Sequence, residues 1–383
     1  MPNHRGSFDL VVVGGGVIGL SLAWRAARRG LRVIVLERGE PGGGTSWVAA
    51  GMLAPIAEAA LGEQPLLDLS LASARAYPAF VAELVEDSGL DPGYLPCGTL
   101  MVARDADEAQ ALERELAMRR GLGLAVERLR AGQARGLEPA LAPSMRLALE
   151  IPDDHVVDPR RLTAALAQAL CRAGGELRTG SQVAGLLLGP RAVRGVRLAG
   201  GEEVRAEQVA IAAGVFSTTI AGIPPGASVP MHPVKGQILR LRDPAGRGLL
   251  TRVLRMASGY VVPRGDGRYV LGATMEERGF DTTVTAGAVL ELLRDASELL
   301  PGLTELELVE CSAGLRPATP DNAPAIGPGA PAGLHWATGH YRNGILLAPI
   351  TAEIVLAGLL GEPAPEPADA FAPARFATAA VGA

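Results

Sequence analysis

Residues Phe8-Asp9-Leu10-Val11-Val12-Val13 form a short β-branched run ending in glycines, the pattern of a parallel strand buried on both faces. From Val17 to Arg29 the period becomes helical. Ile18, Leu22 and Ala26 share one face, Arg25, Arg28 and Arg29 suit the dipole of a last turn, and Gly30 stands where a helix stops. Leu31 to Leu36 is again an unbroken apolar run, closed by Glu37. The three segments predict a strand–helix–strand unit of about 30 residues.

Further on, helical periods cover Leu66 to Ser88, Asp105 to Arg120 (charged and expected to be exposed), and Arg160 to Arg172, the last announced by Asp158-Pro159. Strand-like runs fall at Leu95 to Ala103, Gly185 to Arg197 and Gln208 to Ala212. From Val229 to Val309 the texture changes to alternating strands, at Gly236 to Leu241, Gly259 to Val262 and Tyr269 to Ala273. The turn Gly265-Asp266-Gly267 favours a hairpin, and one helix interrupts at Ala286 to Leu299. An apolar helix at Ile345 to Leu360 closes the pattern, and the Pro- and Ala-rich sequence after Gly361 reads as a poorly ordered end. The expected class is α/β with α+β: a Rossmann-type domain over 1–90, 150–222 and 318–383, interrupted by a mixed-sheet substrate domain over 91–149 and 223–317.

Composition narrows the function classes. The chain has 383 residues, 48% hydrophobic and 20% charged, enough for two domains with a sizeable core. A net charge of -5 offers no footprint for nucleic acid or an anionic membrane. The apolar stretch Leu10 to Trp24, preceded by His4 and Arg5, resembles a short signal sequence, but it falls below the roughly 20 apolar residues a membrane span needs. Its glycine spacing has a better explanation. Cys97, Cys171 and Cys311 show no metal-ligand spacing, which suggests a reduced, cytoplasmic protein. Lys235 is the only lysine in a chain rich in arginine. Chance explains that as well as a role that arginine cannot fill does.

Gly14-Gly15-Gly16-Val17-Ile18-Gly19 supplies the dinucleotide pattern between a strand and a helix. Gly14 permits the tight turn, Gly16 admits a pyrophosphate close to the backbone, and Gly19 lets the helix pack on the sheet. The helix amino terminus then faces the phosphates. Glu37, 18 residues beyond Gly19, is placed to bond the adenosine ribose and argues against a 2′-phosphate. These features do not separate FAD from NAD.

Six further segments do. They are Gly42-Gly43-Gly44-Thr45-Ser46 with Ala49-Ala50-Gly51-Met52-Leu53, Pro233-Val234-Lys235-Gly236, Val261-Val262-Pro263-Arg264, Val270-Leu271-Gly272-Ala273-Thr274-Met275, Ala313-Gly314-Leu315-Arg316-Pro317, and Gly339-His340-Tyr341-Arg342-Asn343-Gly344-Ile345-Leu346-Leu347-Ala348-Pro349. In this order, over nearly the whole chain, they resemble the D-amino acid oxidase family of FAD-dependent oxidoreductases, most closely its glycine oxidase branch. The resemblance implies a non-covalent FAD site lined by Val17, Ile18, Glu37, Arg38, Thr45, Ser46, Ala50, Gly51 and Met52. Val183 would meet the adenine end through its backbone, and His340, Tyr341, Arg342, Asn343, Gly344, Ile345 and Leu346 would wrap the isoalloxazine. A helix starting near Gly344 would turn its positive end toward the flavin.

For the substrate, the resemblance nominates Arg316 and Arg342 as carboxylate contacts, Tyr260 as a hydrogen-bonding residue that closes the pocket, and Met275 as a wall limiting side-chain size. Their plain structural readings are solvated arginines, a sheet tyrosine and core methionine. Some members carry histidine two residues before the tyrosine; here that position is Ser258, so no such role transfers. Ala54 to Glu58 are expected to form a mobile pocket rim, and Lys235 to act as a structural or flavin-proximal cation that assists oxygen. Cys311, five residues before Arg316, lies outside the motif and is read as a small buried residue, so no covalent flavin link is expected. The implied activity is oxidative deamination of glycine, sarcosine or a small D-amino acid to the 2-oxo acid, ammonia and hydrogen peroxide, with molecular oxygen as acceptor and thiamine thiazole synthesis as the setting. The branch often forms homotetramers, so a homo-oligomer is expected. Two other readings stand beside it: a D-amino acid or sarcosine dehydrogenase with another electron acceptor, and a non-catalytic nucleotide-binding subunit.

Overall fold

A computed structural model describes residues 7–246 and 248–377; His4 and Arg5 lie outside these. Two eight-stranded sheets organise them. In the first, Phe8–Val13 is central, with Glu203–Ile211 parallel to it on one side and Val33–Leu36 parallel on the other. Leu334–Thr338 and Glu176–Arg178 extend the parallel set outward. The apolar run at Leu10 to Val13 is buried on both faces because each face has its own cover. Leu10 and Val12 join a core with the helices Val17–Arg28, Gln64–Ser88, Pro159–Arg172 and Ala348–Leu360, whereas Val11 and Val13 join one closed by the hairpin Val183–Leu188 and Val193–Leu198.

That hairpin corrects a sequence expectation. Gly185 to Arg197 reads as one apolar run, but it turns at Gly189 to Ala192, where the Gly189 amide donates to the Ala192 carbonyl at 2.8 Å. The closing helix starts at Ala348, three residues after the point its periodicity suggested. Pro349 occupies its first turn, where a missing N–H costs nothing. The sequence beyond Gly361 is ordered as far as it is described: Ala368–Phe371 and Pro373–Phe376 form short 3-10 turns, Phe371 is buried, and Arg375 pairs with Asp321 at 2.8 Å.

The second sheet takes its strands from 99–151 and 232–318. Alternation sorts its faces. Leu239, Leu254, Val261 and Leu271 pack beneath the helix Ala286–Leu299, while Ile238, Val253, Val262 and Val270 face Ala50 and Val156. The register pairs Tyr260 with both Gly272 and Arg255, Gly236 with Gly314, and Val234 with Arg316. By that parity Gly236, Tyr260, Arg255 and Arg316 share the face turned toward the first sheet, and Lys235 and Gln237 the opposite one. Among the described residues no helix is long and apolar enough to cross a membrane.

Candidate active site

One cavity of about 1420 Å³ runs between the two sheets, from the glycine turn to Arg316 and Arg342. That exceeds the roughly 300–1,000 Å³ of an ordinary small-molecule pocket and suits a dinucleotide together with a small substrate. At one end Gly14 adopts φ +105°, and a Cβ there would lie 2.7 Å from the Ala212 carbonyl oxygen. Gly19 does not line the cavity. Its missing side chain lets the helix close directly on the Gly14 carbonyl, as the sequence reading required. The helix starts at Gly16 with no side-chain cap, leaving a positively polarised amino terminus at the cavity wall. Glu37 accepts from the Gly15 amide at 2.7 Å and the Gly39 amide at 2.8 Å, which fixes its carboxylate beside the turn.

The glycine-rich loop that follows is tied to both sheets. Ser46 Oγ accepts from the Val17 amide at 3.1 Å, and Thr45 Oγ1 donates to the Leu315 carbonyl at 2.6 Å, next to Arg316. Arg264 is half-buried behind the Ala50-Gly51-Met52 stretch, donating to the carbonyls of Ala50 at 2.6 Å and Val157 at 3.0 Å. Gly51 is required there, since a Cβ would run into the Val157 carbonyl. Sequence reasoning missed Phe216, whose ring lies under the Arg38 guanidinium at 3.5 Å from its centroid on the same wall. A lone aromatic just after a buried strand was the available signal.

Of the predicted flavin residues, Gly14, Gly16, Val17, Ile18, Glu37, Arg38, Thr45, Ser46, Ala50, Gly51, Met52 and His340 to Ile345 line the cavity. Val183 and Leu346 do not. Val183 packs in the hairpin core. Leu346 lies behind the wall, where Ser73 Oγ donates to its carbonyl at 2.6 Å and Tyr77 Oη to that of Ile345 at 3.1 Å. The residues from Gly344 to Leu347 form a turn, so no helix begins at Gly344. His340 is buried and bonds Thr351 Oγ1 through Nε2 at 2.9 Å; burial pushes its pKa down to about 3, leaving a neutral ring.

Arg316, Tyr260, Met275 and Arg342 come together on the cavity wall. Nη1 of Arg316 donates to the Thr274 carbonyl at 3.1 Å and the Lys235 carbonyl at 3.4 Å, which anchors one arm of the fork. Burial raises the Tyr260 phenol above its ordinary pKa, against the opposing influence of Arg316, and keeps it a neutral hydroxyl. Met275 is largely exposed at the cavity edge and accepts from Tyr341 Oη at 3.4 Å. Arg342 pairs with Glu58 at 3.4 Å. Ser258 also lines the cavity, and so does Arg255, a residue that sequence reasoning passed over. An arginine inside the apolar run Val253-Leu254-Arg255-Met256 was its signal.

Three expectations are corrected here. Lys235 fits only the structural half of its expectation: it does not line the cavity, and its ammonium lies 3.1 Å from Asp281 and 3.7 Å from Glu276, because odd positions of its strand point to the far face. Ala54 to Ala57 are buried, and the backbone groups of Ile56 and Ala57 bond to the side chains of Asp154 and Arg119, so this rim is pinned. Cys311 is exposed on the strand Glu307–Ala318, which lies at the sheet edge, and it does not line the cavity.

A glycine turn with no room for a Cβ at Gly14 or Gly19, a helix amino terminus at the cavity wall, a carboxylate beside it and a long cleft ending in arginines fit FAD, and they define a dinucleotide-dependent redox enzyme. The chain belongs to the FAD dependent oxidoreductase family, whose pattern it matches over residues 9–357. It is 37% identical to the glycine oxidase of Geobacillus kaustophilus over 354 residues, 92% of each chain. The crystal structure of glycine oxidase from Geobacillus kaustophilus superposes with a TM-score of 0.89 at 35% identity, covering 96% of this chain and 98% of that one. The bifunctional protein ThiO/ThiG of Trichormus variabilis is 36% identical over 349 residues, 91% of this chain but 52% of the longer protein.

Proposed function

We propose that this enzyme oxidatively deaminates glycine, or an amino acid of similar size such as sarcosine or a small D-amino acid, to the 2-oxo acid, ammonia and hydrogen peroxide. The observation that carries the reading is the convergence of Arg316, Arg342 and Tyr260 on one cavity with the glycine cradle. Bound non-covalently, FAD supplies the two-electron acceptor and the route of those electrons to molecular oxygen. The remaining work belongs to the chain. Nη1 of Arg316 is held by two carbonyls and its guanidinium lies beside the Tyr260 hydroxyl, so the fork is anchored at the cavity where it can take a carboxylate. Arg342 adds a second positive charge, and the neutral Tyr260 hydroxyl supplies a directed hydrogen bond to the substrate. Glu37, Ser46, Arg38 and the Gly14 to Ile18 turn hold the nucleotide, while His340 to Ile345 shape the wall around the reacting ring. Met275 stands where a substrate side chain would extend and favours small ones. The name ThiO/ThiG of a relative supports a place in thiamine thiazole synthesis.

Anaerobic reduction of the purified flavoprotein tests this reading, with glycine, sarcosine, D-alanine, D-proline and L-alanine compared. Glycine or sarcosine should bleach the flavin fastest, and air should restore the colour with one equivalent of peroxide. Flavin that no small amino acid reduces would end the proposal, and reduced flavin stable in air would remove its oxidase half.

A further inference from the structure

Glu58 sits on the cavity wall, where its carboxylate pairs with Arg255 and, at 3.4 Å, with Arg342. No helix or strand holds it there. It ends a turn closed by its own amide on the Ala54 carbonyl at 3.1 Å. The backbone N–H and C=O groups of the two residues before it are gripped by charged side chains from remote parts of the chain. Asp154 accepts from the Ile56 amide at 3.1 Å and the Ala57 amide at 2.7 Å. Arg119, on the helix Ala106–Gly121, donates Nε to the Ile56 carbonyl at 2.9 Å and Nη2 to the Ala57 carbonyl at 2.8 Å. Arg119 is 1% exposed and Asp154 fully buried, and neither lines the cavity.

Burying two charges is expensive, and merely covering an alanine- and isoleucine-bearing turn needs only apolar side chains. Four directed bonds on consecutive peptide groups do something that apolar packing does not: they fix the orientation of those groups, and with them the direction in which the next side chain leaves. That side chain is Glu58. Arg342 depends on it, because it lies in a turn with a partly exposed side chain and would otherwise sample many rotamers.

We propose that Arg119 and Asp154 are positioning residues for the carboxylate site: they clamp the Ile56-Ala57 peptides so that Glu58 holds Arg342 and Arg255 in one geometry. The proposal rests on the reading that Arg342 meets the substrate carboxylate. Sequence reasoning placed Arg119 on an exposed charged helix, and its burial is explained by this role.

The test uses the flavin-loaded enzyme at about pH 8 and acetate, a carboxylate without an amine, followed through the flavin absorbance. Arg119→Met and Asp154→Asn should each weaken acetate about tenfold or more with flavin content unchanged, and Arg119→Lys should recover part of the loss. Where glycine is turned over, the same variants should raise KM far more than they lower kcat. In a Glu58→Gln background the effect of Arg119→Met on acetate should largely vanish, although any loss of melting temperature would persist. Acetate affinity unchanged in the single variants, or a loss undiminished by Glu58→Gln, would overturn the clamp. If Arg119→Met fails to fold, Arg119→Lys and Asp154→Asn carry the same comparison. Failure of glycine to reduce the flavin would sink the proposed function while leaving the acetate result to judge the clamp.

Discussion

The guanidinium of Arg316 lies directly over Gly236, so a Cβ added at Gly236 would collide with Nη1, Nη2 and Cζ together. The obstructed atoms are the far end of a flexible side chain, so Gly236→Ala should fold but push Arg316 off the Thr274 and Lys235 carbonyls that anchor it. Losing one charge-assisted contact costs about 1.5–3 kcal/mol, so KM for the amino acid should rise roughly ten- to a hundredfold. Flavin content and melting temperature should stay near wild type. Steady-state kinetics beside a flavin assay decide it, and a variant with ordinary KM would show that Arg316 does not bind the carboxylate.

At the other end of the cavity the obstruction is backbone. Gly14→Ala would place a Cβ 2.7 Å from the Ala212 carbonyl oxygen at a φ of +105° that other residues rarely adopt. The strain, about 1–3 kcal/mol, falls on the turn proposed to hold the nucleotide. The variant should purify with much less flavin than wild type, measured as flavin absorbance per protein, and added FAD should restore only part of it. Full occupancy would remove this turn from the cofactor site.

Acid should destabilise the fold through its buried histidines. Burial holds His340 near about 3 and His335 near about 4, below the ordinary 6.5, so the unfolded chain takes up protons that the folded chain refuses. Their contribution is complete above about pH 6.5 and is lost as pH falls toward the folded values, at up to about 1.4 kcal/mol per pH unit for each ring. Melting temperatures between pH 7.5 and 5 should therefore fall less steeply for His340→Gln than for wild type. The difference isolates His340 from groups such as Asp154, whose carboxyl burial pushes up to about 7 and whose slope has the opposite sign. Parallel curves would mean that His340 carries a proton in the folded state.

Much of this site was legible in the chain because its parts are local. Gly14, Gly16 and Glu37 belong to one strand–helix–strand unit whose geometry follows from spacing, and they reach the same cavity end. Arg316, Arg342, Tyr260 and Met275 needed the family resemblance, since nothing in an isolated arginine says which wall it will join. What stayed hidden is non-local. Strand parity put Lys235 and Gly236 on opposite faces, but only the sheet order says which face borders the cavity. Glu58 was visible only as part of a loop, because the groups that pin that loop lie 63 and 98 positions away from Ile56. Val183 does not line the cavity with its side chain, which packs in the hairpin core instead.

Met275 offers the clearest handle on specificity. It is 61% exposed yet lines the cavity, and its sulfur accepts from Tyr341 Oη at 3.4 Å, so it occupies the cavity edge without being locked into a core. Truncation there should cost little stability, because few of its contacts are buried. It should also open space beside Tyr260 and Arg316 for a substrate side chain. Met275→Ala should raise kcat/KM for D-alanine or D-proline relative to glycine by roughly ten- to a hundredfold, the range set by one or two methylene groups of room in an apolar pocket. The absolute rate on glycine should fall only modestly, since glycine gains nothing from the space and loses only a loose wall. Kinetics on glycine, sarcosine, D-alanine and D-proline for both proteins measure this directly. An unchanged ratio would move the size limit elsewhere on the wall, to Tyr341 or Met52, and would make Met275 a bystander of the cavity it borders.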